Sequence, residues 1–187
     1  MSLHINFRLS SSDLEFFRGV MLKAREKSSG FSQQQIIDNA RKLLERVNQS
    51  DTVDFIRDQM SQLEILANML VDEGWGLIDE DRERVLSALT YFADPQDLIP
   101  DDTPGLGFID DAIMIEIVCK ALKYEIKAYR EFLLFRATED NRREDNTAPV
   151  RRSEWLETRR QQLHERMRRR REGQANADKT KSPFSLF

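Results

Sequence analysis

Apolar positions recur at intervals of three and four over most of the chain, the spacing of one face of an α-helix. Leu14, Phe17, Met21 and Ala24 follow Ser12-Asp13-Leu14-Glu15, which has the form of a capping box. Ser28-Ser29-Gly30 ends that helix, and Ser32-Gln33-Gln34-Gln35 opens a second, carrying Ile36, Ala40, Leu43 and Val47. Val53, Ile56, Met60, Leu63, Ala67 and Leu70 make a third, closed by Gly74-Trp75-Gly76. Asp79 is placed to cap a fourth, with Val85, Ala88, Leu89 and Phe92. Pro95 stops it, because the residue before a proline is pushed out of the α region. The fifth starts near Phe108 and runs to about Thr138 on the stripe Ala112, Ile115, Cys119, Leu122, Ile126, Tyr129 and Leu133. At 1.5 Å per residue it is about 45 Å long, more than a body of this size covers.

The two ends follow other rules. Leu3, Ile5, Phe7 and Leu9 alternate with polar residues, the period of a strand. With no second strand to pair with, the segment reads as a short N-terminal strand or an extended arm. Residues 139–150 are a polar linker ending in Pro149. Residues 151–172 form a basic helix with a thin stripe of Leu156, Leu163 and Met167, and Trp155 beside it. Residues 173–187 lack periodicity and read as a flexible tail. The expected fold is all-α: a bundle of about five helices over residues 1–138, the linker, the basic helix and the tail.

Between helices four and five lies an unusual connector, Tyr91 to Ala112. It holds three prolines, two glycines and six aspartates, yet also Leu98, Ile99, Leu106, Phe108 and Ile109. Pro95 and Pro100 fix φ and remove two donors. Pro104-Gly105 fits the centre of a type II turn, where glycine tolerates positive φ. Gly107 allows a close backbone approach. Asp110 and Asp111 stand in the first turn of helix five, where free N–H groups favour carboxylates. The connector therefore reads as a stiff elbow that fixes the angle between two helices. A sharper alternative is a divalent-metal site with Asp97, Asp101, Asp110 and Asp111 as ligands, since oxygen-only donors suit Mg²⁺, Ca²⁺ or Mn²⁺.

The order of rare elements here resembles the YkvA-like family, a domain of unknown function. The resemblance rests on Tyr91, then Pro95-Gln96-Asp97-Leu98-Ile99-Pro100-Asp101, then Pro104-Gly105-Leu106-Gly107, then Asp110-Asp111-Ala112. It covers about residues 85–123. It implies a helical fold and supplies no catalytic residues. Gln96, Asp102 and Thr103 make this copy more polar than the family pattern.

Charge adds a second feature. The formal net charge is −4, but residues 151–187 hold nine Arg and two Lys against five acids. That end carries +6, which leaves −10 on residues 1–150. Arg159, Arg160, Arg166 and Arg168 to Arg171 make a cationic helix suited to phosphates. Nucleic acid and an anionic membrane surface are two candidate partners; the third reading docks the helix on the acidic body of its own chain or a sister chain.

Other chemistry is thinly supported. Glycine-loop phosphate sites need more than Gly105 and Gly107. Cys119 lies on an apolar stripe, the place of an inert buried thiol. Trp75 reads as packed rather than exposed. One cysteine allows no internal disulfide, and no stretch of about 18 apolar residues occurs. The N-terminus shows no cationic start and apolar run of the secretory kind. The expectation is a cytoplasmic, non-enzymatic interaction or adaptor protein without a resident cofactor, which binds a protein partner or itself through the elbow and the basic helix. The alternatives are a metal-dependent enzyme using the aspartates and a nucleic-acid or membrane-surface binder using the arginines.

Overall fold

The computed structural model describes residues 8–27, 30–93, 99, 103, 107–142 and 149–178. Among them the fold is all-α, with no strand. The helices are α1 (Ser11–Lys27), α2 (Gln33–Gln49), α3 (Asp54–Met60), α4 (Gln62–Val71), α5 (Asp79–Leu89), α6 (Ile109–Ala121), α7 (Lys123–Arg142) and α8 (Pro149–Asp178). A 3₁₀ turn, Tyr91–Ala93, follows α5. The expected strand or arm at residues 3–9 falls mostly outside the described residues.

Local sequence explains most boundaries. The reciprocal cap of α2 forms as its spacing predicts: Gln35 N–H donates to Ser32 Oγ (3.2 Å) and Ser32 N–H to Gln35 Oε1 (2.7 Å). At α1 the same device sits two residues earlier than expected. Ser10 N–H donates to Asp13 Oδ2 (2.7 Å), and Asp13 N–H to Ser10 Oγ (3.3 Å). The shorter Asp13 side chain thus takes the role assigned to Glu15. Asp79 is the first helical residue of α5 rather than its cap, which is Ile78 and has no side-chain cap bond.

Two helices expected to be continuous are broken. The third divides at Ser61, whose Oγ donates to the Asp58 carbonyl (2.6 Å) and competes with the helix ladder. The fifth divides at Leu122, where φ −102° and ψ 20° bend the chain. Leu122 is fully buried, so the bend is set by packing rather than by glycine or proline. The bend also answers the length problem: α6 packs on α3, whereas α7 turns to lie along α8.

α2 contacts α3, α4, α5 and the 3₁₀ turn, and one hydrophobic core joins residues from α1 to α8. Leu163 and Met167 of α8 belong to that core. Burying each contributes about 1.5–3 kcal/mol. The basic helix is longer than residues 151–172: it begins at Pro149, suited to a first helical position, and runs through Gly173 to Asp178. Residues 173–178 of the expected tail are therefore helical. Tyr124 on α7 donates its hydroxyl to Gln174 Oε1 (2.8 Å) and helps hold that end.

Candidate functional site

The elbow between α5 and α6 is held from several sides. The Thr90 hydroxyl donates to the Ser87 carbonyl (2.7 Å), tightening the end of α5 before the 3₁₀ turn. α1 and α2 both pack on that turn, and Asn39 Nδ2 of α2 donates to the Ala93 carbonyl (3.4 Å). Further along, Gly107 N–H donates to the Thr103 carbonyl (2.8 Å). Phe108 precedes α6 with φ 65°, a left-handed conformation rare for a bulky residue. Its ring is buried, and the Arg46 guanidinium lies 5.9 Å from the ring centroid. Burial of the ring fixes a backbone that would otherwise relax.

Asp110 is the clamp of the elbow. It is buried in the first turn of α6, and its Oδ2 accepts from Ile99 N–H (3.2 Å) and, at a longer reach, from the Tyr91 hydroxyl (3.5 Å). One carboxylate thus ties together the start of the connector, its middle and the helix after it. Asp111, also buried, stands beside it. The other residues expected at this site, Pro95, Asp97, Pro100, Asp101, Pro104 and Gly105, lie outside the described residues. Among the described residues, no group of three or more His, Cys, Asp or Glu is placed to hold a metal ion.

A second polar cluster lies where α8 meets the body. Asp81 of α5 and Glu125 of α7 are both fully buried. Asp81 accepts from Arg168 Nε (3.2 Å) and Arg171 Nη1 (2.5 Å). Glu125 accepts from the same Arg171 nitrogen (3.1 Å) and from Arg84 Nε (3.3 Å). Arg171 also reaches Glu80 (3.1 Å), and Arg166 bonds Glu131 of α7. Burial opposes the charge of Arg171, but its hydrogen bonds to Asp81 and Glu125 outweigh that and raise its pKa further.

The seven arginines expected to face a partner divide accordingly. Arg166, Arg168 and Arg171 are turned to carboxylates of the body. Arg160 pairs with Glu157 on its own helix, and Arg159 lies over the Phe135 ring (5.6 Å). Only Arg169 and Arg170 are exposed, alongside Glu154, Glu165 and Glu172. Arg169 itself pairs with Glu165 (3.4 Å). Three of the seven arginines thus face carboxylates of the body.

Between these pairs, α8 closes an aromatic cluster. Trp75 is fully buried against Tyr129, Phe132 and His164, as a packed residue. The His164 ring lies 4.2 Å from it, centroid to centroid, and His164 Nε2 is 3.1 Å from the Trp75 carbonyl. A bond to that acceptor requires the hydrogen on Nε2. Burial lowers the His164 pKa, with Arg168 and Arg160 acting in the same sense; the Trp75 carbonyl and Asp81 oppose them. Nearby, Asp72 Oδ2 accepts from the Tyr129 hydroxyl (3.1 Å) and pairs with Arg136 (2.9 Å). Burial and Asp72 together push the Tyr129 pKa up.

Asp81, Glu125, Trp75 and His164 are not among the site residues expected from sequence. The available signal was a carboxylate on an apolar stripe: Asp81 precedes Val85 by one turn, and Glu125 follows Leu122 by three residues.

Residues 84–117 match the family described as "Protein of unknown function (DUF1232)". The chain is also 40% identical over 48 residues to the "Uncharacterized membrane protein YkvA" of Bacillus subtilis (strain 168). That match spans 26% of this chain and 45% of the relative. No solved structure matches. None of the helices described is long and apolar enough to cross a membrane. The end of α5, the elbow clamped by Asp110 and most of α6 thus form a YkvA-like segment of unknown function.

Proposed function

We propose that this is a cytoplasmic, non-enzymatic interaction protein: the YkvA-like elbow shapes an acidic helical body, and that body receives an arginine-rich amphipathic helix. One observation carries the reading. Arg168 and Arg171 of α8 converge on the buried carboxylates Asp81 and Glu125, while Leu163 and Met167 enter the core beside them. The body has the two properties such a helix needs, an apolar seat and buried acids. Here α8 of the same chain fills it; a protein partner or second copy offering a similar helix would compete for the same face.

The test uses the full chain and a labelled peptide of residues 151–172. The native chain should exclude the peptide. A chain with Arg168→Glu and Arg171→Glu, folded but weakened in its own docking, should bind it. Failure of that variant to bind the peptide would count against a receptor face.

The Bacillus relative, named as a membrane protein, favours a second reading, attachment to a membrane surface. The inward arginines oppose it for the docked state. Full-length protein should not sediment with anionic vesicles near neutral pH, and sedimentation abolished by removing α8 would favour the membrane reading instead.

A further inference from the structure

The contact that seats α8 contains a buried imidazole. His164 is buried and stacked on Trp75. Among the described residues its buried Nδ1 has no hydrogen-bond partner, which suits the neutral ring whose Nε2–H donates to the Trp75 carbonyl. A second proton on Nδ1 would place a donor where no acceptor waits, and a charge where little water reaches.

We propose that His164 makes α8 an acid-released latch: protonation of its imidazole at the Trp75 contact undocks the arginine-rich helix from the face formed by α5 and α7. This rests on the preceding reading, because it regulates the docking that reading describes.

The charged groups around the ring set the sign. From α8 itself, Arg160 and Arg168 stand one turn to either side and oppose a second positive charge; Glu157 lies a turn beyond Arg160. From α5, Asp81 favours the proton, but Arg168 and Arg171 already engage it, and Glu80 and Arg84 face Arg171 and Glu125. From α7, Glu125 and Glu131 are bound to Arg171 and Arg166, and Arg136 is bound to Asp72. The loop contributes the Trp75 carbonyl and the Trp75 ring face, both of which attract an imidazolium and work against release. Arg160 also lies over the loop at Gly76, its Nη1 2.9 Å from where a Cβ would stand. Burial and the two flanking arginines prevail, so the docked state takes up the proton less readily than the released state. Docking is then fully supported above the ordinary histidine pKa of about 6.5 and weakens as pH falls through it.

Release would turn Arg166, Arg168 and Arg171 outward and uncover Asp81 and Glu125 together. Acid would therefore raise the fraction of chains that present both an arginine-rich helix and its receptor.

Amide hydrogen exchange on the full chain tests this, at about pH 7.5 and about pH 5.5 with times scaled for the intrinsic rate. Peptides covering residues 156–171 should lose protection at the lower pH by up to about tenfold, the limit set by a pH about one unit below the ordinary histidine value. Peptides from α2 and α4 should not change. In His164→Gln, which cannot titrate, α8 should stay protected at both values. Equal acid release in His164→Gln, or none in the native chain, overturns the latch. If α8 is already unprotected in the native chain near pH 7.5, the docking itself fails. Should His164→Gln loosen α8 at every pH, the native chain still decides: the imidazole titration followed by NMR must share its midpoint with the exchange change, and separate midpoints overturn the proposal.

Discussion

Replacing Asp81 with alanine removes a carboxylate that is fully buried and accepts from two arginines of α8, at 3.2 and 2.5 Å. Removing one partner of a buried ion pair typically costs about 3–5 kcal/mol, because the other charge is left uncompensated. Two features of the structure place this site at the lower end. Arg171 keeps Glu125 and Glu80, and Arg168 is about one-third exposed and can turn to water. The expected loss is about 3 kcal/mol, which for a domain of this size lowers Tm by about 6–12 °C. Urea unfolding followed by circular dichroism measures it, with the midpoint shifted and the slope retained. In a double-mutant cycle, Arg168→Ala should cost much less in the Asp81→Ala background than alone. A loss below about 1 kcal/mol, the size of a surface ion pair, would refute the argument that α8 is anchored through buried charge.

Other outcomes follow from the elbow and the core. Phe108→Gly should be less destabilising than Phe108→Ala by about 1 kcal/mol, because both lose the buried ring but only glycine relieves the left-handed backbone; thermal melts of the two variants check this reversal of the usual order. Asp110→Ala should cost about 1–3 kcal/mol by orphaning Ile99 N–H, while Mg²⁺, Ca²⁺ and Mn²⁺ leave the native melting temperature unchanged; a saturable rise that Asp110→Ala abolishes would instead establish the metal site. The Cys119 thiol, pushed up to about 12 mainly by burial with Glu116 adding to it, should resist a thiol reagent near pH 8 until the chain is unfolded.

Residue patterns explain why the helices were legible and the site less so. The 3–4 stripes and the Ser32–Gln35 cap are local signals, and they survive folding because the core lies on the face they mark. The bends at Ser61 and Leu122 carry no proline or glycine, since a side-chain bond to the Asp58 carbonyl and a buried leucine impose them. Asp110 was legible as a helix-start acid, yet its reach to Tyr91 and Ile99 depends on how the connector returns on itself. The arginines of α8 pose the clearest case. By composition they mark a cationic surface. By register, Arg160, Leu163, Met167 and Arg171 fall at spacings of three, four and four on one face. A stripe that ends in arginine predicts an acidic seat, and only three dimensions bring Asp81 and Glu125, 44 residues apart in sequence, to the same point.

Docking of α8 on its own chain is the claim on which the rest depends. Nitroxide labels at two exposed positions, Lys127 on α7 and Arg169 on α8, in a Cys119→Ser background, report it by pulsed electron resonance. Near neutral pH a docked α8 gives a single narrow distance distribution within one chain, unchanged by dilution with unlabelled protein. A broad distribution, or one that collapses on dilution, would contradict it.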